Sequence, residues 1–477
     1  MAHPLALKSQ DADGADGPSG RLLAFVGSLQ WGELDKDIQH AAKRHVLDTV
    51  GVMIAGGVGD VATKAEAVLA TIRPAGHVPV PGRVRRADML DAAMLGGTGG
   101  HGIELDDGFR QGSVHPGVAV VPAIWSAAYG QNISGIRLLE AAIAGYETVT
   151  SVARACHPDM RRRGFHPTGV VGSLGAAVAA GRLLELSRDQ LSNALGLAAS
   201  ASAGLFAFLG GGADVKRLHA GHAAREGLQA ALFAKGGIAG PPNVIEASDG
   251  FFQAFAAGKG APPRHLDLPP DVAFGVTDCY VKPYACCRHL QPAVEALMAL
   301  RSEHQIDERA VQGIDVETYG IAAEHAHTGW SDFASAQLSF PFIMALGLRF
   351  GRIDLSHFGD EVRSDESIAS ICKRVRVSVS PELDRTYPDK RPARVTLRTA
   401  NGTFTRQADE ALGSSTLPLD DAGLEKKFTD LVGPILGLQA AHRFSDRLWS
   451  IDTVRDVTSL IDEAALPRDE KKASPTS

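Results

Sequence analysis

GFHPTGVVGSLGAAVAAG, Gly164 to Gly181, sets a histidine between an aromatic residue and a proline, ahead of a run of alanine and glycine. Pro167 disfavours helix at the residue before it, so His166 is expected to be extended, with a helix starting at Thr168 or Gly169. Glycines inside an exposed helix cost about 1 kcal/mol each against alanine. A helix this rich in them makes sense where neighbouring helices approach closely through small side chains. The stretch therefore predicts a buried helix over 168–186 inside a tightly packed helical bundle.

The flanking sequence extends that reading. Val46, Thr49, Val50 and Met53 recur at i, i+3, i+4, i+7, the stripe of an amphipathic helix. Further helices are expected at 61–72, 87–102, 117–130, 135–155, 188–208 and 217–236. Ser187 with Gln190 fits a capping box, Asp189 adds an acid to that first turn, and Gly236-Gly237 is a stop. Leu191 to Ala213 is uncharged and long enough to span a bilayer. Ser192, Asn193, Ser200, Ser202 and glycines 204 and 210–212 dilute it, so it reads as a core helix ending in a glycine loop.

After APPRHLDLPP (261–270) the pattern becomes β-like: GIDVETYG (313–320), RVRVSVS (374–380), ARVTLRT (393–399) and GTFTRQA (402–408). Asn401-Gly402 is a hairpin signal. Helices are expected at 290–303 and 335–349, and helical patterning returns at 421–434 and 451–464. The predicted fold is mainly α: a large all-helical domain (21–265), an inserted smaller α+β lid domain (266–410) and a C-terminal return to the helical domain (411–466). Residues 1–20 and 467–477 read as a disordered lead-in and tail.

The 477 residues carry a net charge of −7, so bulk electrostatics offers nothing to a nucleic acid. The N-terminus has no apolar run of the kind a signal peptide needs. Five irregularly spaced cysteines give neither a disulfide framework nor zinc spacing, and a reducing cytoplasm suits them. The expectation is a cytoplasmic protein with no metal, no membrane and no nucleic acid.

Four segments carry chemistry. In GIELDDGFRQGSVHPG (102–117), Glu104, Asp106 and Asp107 crowd together, with Arg110 close by and His115 further on. Crowded carboxylates raise one another's pKa, which suits a general acid or base, and Glu104 and Asp107 share a face if the helix reaches them. His166 at a helix N-terminus is biased by the dipole to the neutral form that a base requires. Lys216-Arg217, after GGGAD, reads as a carboxylate clamp, or Lys216 as a desolvated base. Gly210–Gly212 lacks the spacing of a phosphate loop. In DCYVKPYACCRHLQP (278–292), Lys282, Tyr284, Arg288 and His289 stand at a domain junction, where pockets form. Cys286 or Cys287 is a conceivable nucleophile without a supporting motif, and Arg161–Arg163 reads as a solvated loop.

In this order HGIELDDGFRQGSVHPG, AGYETVTSVARA, GFHPTGVVGSLGAAVAAGRLLEL, VKRLHAGHAAREGLQAALFAKGGIAGP and VKPYACCRH resemble the MmgE/PrpD family over roughly 20–465. That family includes 2-methylcitrate dehydratase, cis-aconitate decarboxylase and iminodisuccinate epimerase. The resemblance implies a helical domain with an α+β lid, a homodimer, and no metal or organic cofactor. It carries the decarboxylase branch's pocket residues to Glu104, His115, His166, Lys216 and Lys282, and less closely to Tyr319. Two residues depart: Glu104 replaces the branch's aspartate, and Gly108 stands where the animal enzymes carry threonine.

The expected activity is proton transfer next to a carboxylate of a small di- or tricarboxylate. Lys216 and Lys282 (with Arg288) would stabilise the developing enolate, and His166 or His115 would move the proton. Asp107, Arg217, Tyr284, His289 and Tyr319 complete the expected substrate-binding set. Dehydration of a 2-methylcitrate-like acid leads; epimerisation and decarboxylation use the same pocket. The non-enzymatic alternative is a carboxylate-binding scaffold.

Overall fold

The structure, a computed structural model, describes residues 17–210, 214–258 and 264–467. Most of the expected lead-in and tail lies outside these residues, as do Gly211 and Gly212. Pro18–Gly20, assigned to the lead-in, instead open a helix.

The described chain is mainly helical. Its longer helices are α1 Pro18–Ser28, α2 Lys36–Gly57, α3 Asp60–Ile72, α4 Met89–Gly102, α5 Gly117–Ala128, α6 Gly135–Cys156, α7 Pro167–Leu183, α8 Arg188–Ala201, α9 Val215–Lys235, α10 Gln291–Glu303, α11 Phe340–Phe350, α12 Asp421–Leu436 and α13 Leu438–Trp449. Small residues let α7 lie against its neighbours. A Cβ on Gly175 would sit 2.2 Å from Val149 of α6, and one on Gly227 of α9 would sit 2.5 Å from Ala176 of α7. Close packing of this kind leaves no room for a methyl group. The capping box at Ser187–Gln190 is present.

One apolar core joins Leu22, Val46, Val50, Val120, Trp125, Leu174 and Leu228 to Leu424, Phe428, Phe444 and Leu448. The C-terminal helices thus bury their apolar faces in the same core as the first half. Each such side chain contributes about 1.5–3 kcal/mol on burial. A second core is built from Val294, Leu297, Ile314, Val316, Phe340, Phe342 and Val395, and it also takes in Val52, Ile103, Leu105, Val118 and Ala220. Ile103 and Leu105 therefore bring the segment after α4 to the boundary between the two cores.

Four strands, β1 Val311–Thr318, β2 Val375–Val379, β3 Ala393–Thr399 and β4 Gly402–Ala408, form one sheet in the order β2-β1-β3-β4. β1 runs parallel to β2 and antiparallel to β3. The β3–β4 hairpin closes with Thr399 opposite Gly402, so its two loop residues are Ala400 and Asn401, one position earlier than Asn401-Gly402. Among the described residues no single helix is long and apolar enough to cross a membrane.

Three expected elements differ. The helix expected over 188–208 stops at Ala201, because His166 N donates to Gly204 O (3.0 Å) and Phe206 N to Gly164 O (2.8 Å), drawing the chain across α7's start. The helix expected over 335–349 breaks between Ala336 and Phe340, where the Gln337 amide donates to Ile103 O (2.7 Å) and Ala285 O (3.1 Å). The helix expected over 451–464 is only Thr458–Glu463; the long C-terminal helix is α13, entered through Gly437 at φ 88°.

Candidate active site

α4 ends at Gly102, and the chain turns at Glu104 with a left-handed backbone (φ 56°). A non-glycine residue holds that conformation only where its surroundings demand it. The turn puts Glu104 on a cavity of about 80 Å³, room for several water molecules or one compact ligand. Lys216, at the start of α9, donates to Glu104 Oε1. Lys282 bridges Glu104 Oε2 (3.3 Å) and Asp106 Oδ1 (3.2 Å). Lys282 is placed by Glu147 of α6, whose two oxygens accept from Gly275 N and Val276 N (each 2.9 Å) and so fix the short helix Gly275–Asp278.

Four histidines stand against this charged block. His101 Nδ1 lies 2.6 Å from Asp106 Oδ2. His115 Nδ1 lies 2.6 Å from the carbonyl of Asp107. A carbonyl only accepts, so His115 carries its proton on Nδ1 and leaves Nε2 as the bare nitrogen. His166 is extended (φ −86°, ψ 106°) as the N-cap of α7. Its ring stacks on His101 at 5.7 Å, and its Nδ1 is 3.0 Å from His219 Nδ1. Phe206 and Phe208 close edge-on over it at 5.1 and 5.4 Å.

The electrostatics favours neutral imidazoles beside fixed ions. Burial pushes His101 down to about 3 and His219 to about 4, and it lowers His115 and His166 as well. Burial alone would raise Asp106, but His115, Lys282 and His101 outweigh it and hold the carboxyl well below its ordinary range. Lys282 is raised, because Asp106 outweighs its burial. Burial and the neighbouring Lys282 push Lys216 well down. Cys287 Sγ lies 3.8 Å from His325 Nε2, which against the effect of burial draws the thiol down to about 6.

Glu104, His115, His166, Lys216, Lys282, Arg288 and His289 all line the one cavity. Four expected residues do not. Asp107 points into the helical core, accepting from Gly117 N (3.0 Å) and Tyr146 OH (2.6 Å), because the turn at Glu104 ends the helix on which the two would have shared a face. Arg217 donates to Gly102 O (3.3 Å) and faces a different cavity. Tyr284 is hydrogen-bonded to Glu295 instead. Tyr319 is fully buried behind the wall, 2.5 Å from His289 Nδ1 and stacked on Tyr387. Of the expected solvated loop, Arg162 and Arg163 are exposed, but Arg161 lies 3.8 Å over the Phe206 ring and lines the cavity.

Sequence reading missed His101, His219, Arg391 and the central place of Asp106. His101 carried a usable signal, standing five residues before Asp106 in HGIELDD. Arg391 carried none, since it reaches the cavity from the loop before β3. His101, Asp106 and His115 offer atoms within 4.8 Å of one another, the set that would hold a metal ion. The Lys282 ammonium already occupies Asp106 Oδ1 and opposes a second cation there.

Residues 20–264 match the MmgE/PrpD N-terminal domain and residues 284–452 the MmgE/PrpD C-terminal domain. The chain is 26% identical to a cis-aconitate decarboxylase of Aspergillus terreus over 482 residues, 95% of this chain and 97% of that protein. It is 27% identical to the cis-aconitate decarboxylase of Mus musculus, covering 85% of each. To that of Homo sapiens it is 26% identical over 91% of this chain and 92% of the other.

Proposed function

This chain belongs to the MmgE/PrpD family, and on that premise we propose that it is a lyase forming an enolate next to a carboxylate of a small di- or tricarboxylate. The observation that carries the reading is the buried Lys216–Glu104–Lys282–Asp106 block beside the bare Nε2 of His115. Fixed ions in a water-poor cavity stabilise charge that develops in a transition state without having to reorganise. A neutral imidazole next to them takes or returns a proton.

Decarboxylation of a cis-aconitate-type acid comes first, supported by the names of the relatives above. The bond to the departing carboxylate breaks, and its electron pair passes across the double bond to the conjugated carboxylate. A histidine protonated from solvent, His115 or His166, then delivers the proton to carbon. The second reading is dehydration of a 2-methylcitrate-type acid. It is favoured by the depressed pKa of His115, since a base that starts neutral abstracts a proton directly. Epimerisation shares that first step. In this reading the sheet-bearing segment 266–410 acts as a lid, and the working enzyme is a homodimer without metal or organic cofactor.

Proton NMR in D2O with cis-aconitate, 2-methylcitrate and a chiral dicarboxylate tests the proposal. Carbon dioxide release with new methylene signals is expected. Water loss from 2-methylcitrate would replace decarboxylation with dehydration. Exchange at the chiral carbon alone would mean an epimerase, and binding with no turnover or exchange would overturn the enzymatic reading.

A further inference from the structure

The cavity's lysines are already matched by carboxylates and Arg161 pairs with Glu324 (3.7 Å), but among the described residues Arg288 and Arg391 have no ion pair. Arg391 is 5% exposed and reaches the cavity from the segment just before β3. Its two hydrogen bonds both leave from Nη2, to Arg110 O at 2.9 Å and to Ser113 Oγ at 3.5 Å. Its Nε is buried with no partner, and no ion pair to Arg391 occurs among the described residues. Arg288, beside it on the same wall, donates among the described residues only to Gln291 Oε1 and to the carbonyls of Leu412 and Ala411, and its guanidinium lies 4.7 Å over the Tyr280 ring. Around Arg391 stand the side chains of Tyr319, Tyr280 and Tyr387 and the Cys287 thiol, none of them a carboxylate.

A guanidinium held out of water is costly unless an anion meets it. Its planar fork suits a carboxylate, which accepts two parallel hydrogen bonds. We infer that Arg391, seconded by Arg288, is a carboxylate-binding subsite on the sheet side of the cavity, taking the carboxylate of the substrate that does not react. The inference rests on the polycarboxylate reading above and refines it. The lysine block faces the reacting end, Arg391 holds the far end, and a monocarboxylate fills only one of the two.

The test is binding of propane-1,2,3-tricarboxylate, which has neither a double bond nor a hydroxyl to react, to the full-length protein by calorimetry. Arg391→Met is expected to weaken binding at least about thirtyfold, and Arg391→Lys to fall between Met and wild type. Without ligand, Arg391→Met is expected to melt no lower than wild type, since an uncompensated charge has been removed, whereas a structural role predicts a lower melting point. Wild-type affinity in Arg391→Met would overturn the subsite and leave the polycarboxylate reading standing. Failure of wild type to bind the tricarboxylate at all would overturn both. Should Arg391→Met not fold, Arg391→Lys with undiminished affinity would overturn the subsite by itself.

Discussion

His166 and His219 meet through their Nδ1 atoms at 3.0 Å, deep beside the cavity and at the start of α7. Only one of the two can donate, so the pair holds one shared proton between rings whose pKa values burial has pushed down. His219 also borders a second, separate cavity with His222 and Glu226. His166→Ala is expected to reduce turnover at least about a hundredfold. His219→Ala removes only the partner, so a loss of about tenfold with a shifted pH–rate profile is expected. Equal losses in the two variants would contradict this division.

Asp106 is the hinge of the charged block, touching Lys282, His101 and His115 at once. Asp106→Asn leaves Lys282 buried with half its partners, and breaking a buried pair in this way costs about 3–5 kcal/mol. Urea unfolding of the variant should register that loss, whereas a drop below about 1 kcal/mol would mean that the block is not held by charge.

Glu147 titrates in an accessible range. Burial raises its carboxyl to about 7 from 4.5, although Gly275 N and Val276 N pull the other way. The folded state thus holds this proton more tightly than the unfolded chain does. Its contribution is complete below about pH 4.5 and is lost as pH rises through about 7, on the order of 3 kcal/mol in all. Melting temperatures of wild type should fall across this window more steeply than those of Glu147→Gln, and parallel curves would refute the assignment.

Gly108 and Tyr280 are matched to each other. They pair through both backbone bonds (3.0 and 2.7 Å), and a Cβ on Gly108 would lie 2.3 Å from the Tyr280 hydroxyl. Gly108→Thr is expected to cost about 1–3 kcal/mol and most of the activity. Adding Tyr280→Ala should restore stability, as a double-mutant cycle would detect. No restoration would place the conflict elsewhere.

Much of this site was legible because it is local. His166 before Pro167 announced its own backbone, and Lys216 and Lys282 stood out as cations in apolar or glycine-rich surroundings. The β3–β4 hairpin was visible for the same reason. The choice between Asp106 and Asp107 was not legible, since it depends on one left-handed residue, Glu104, imposed by packing of Ile103 and Leu105 into the second core. Arg391 was invisible because its role arises where a distant loop closes the wall.

The cavity has a division of parentage. The segments on or beside the first-half helices supply Glu104, His115, His166 and Lys216, the junction at 278–292 supplies Lys282, and the segments around the sheet supply Ile321, His325, Tyr387 and Arg391. Substitutions in the last set alter the shape and charge offered to a ligand without moving a proton-transfer group. A lineage carrying this fold is therefore free to exchange one acid for another by drift on the sheet side alone, with its reactive apparatus inherited unchanged.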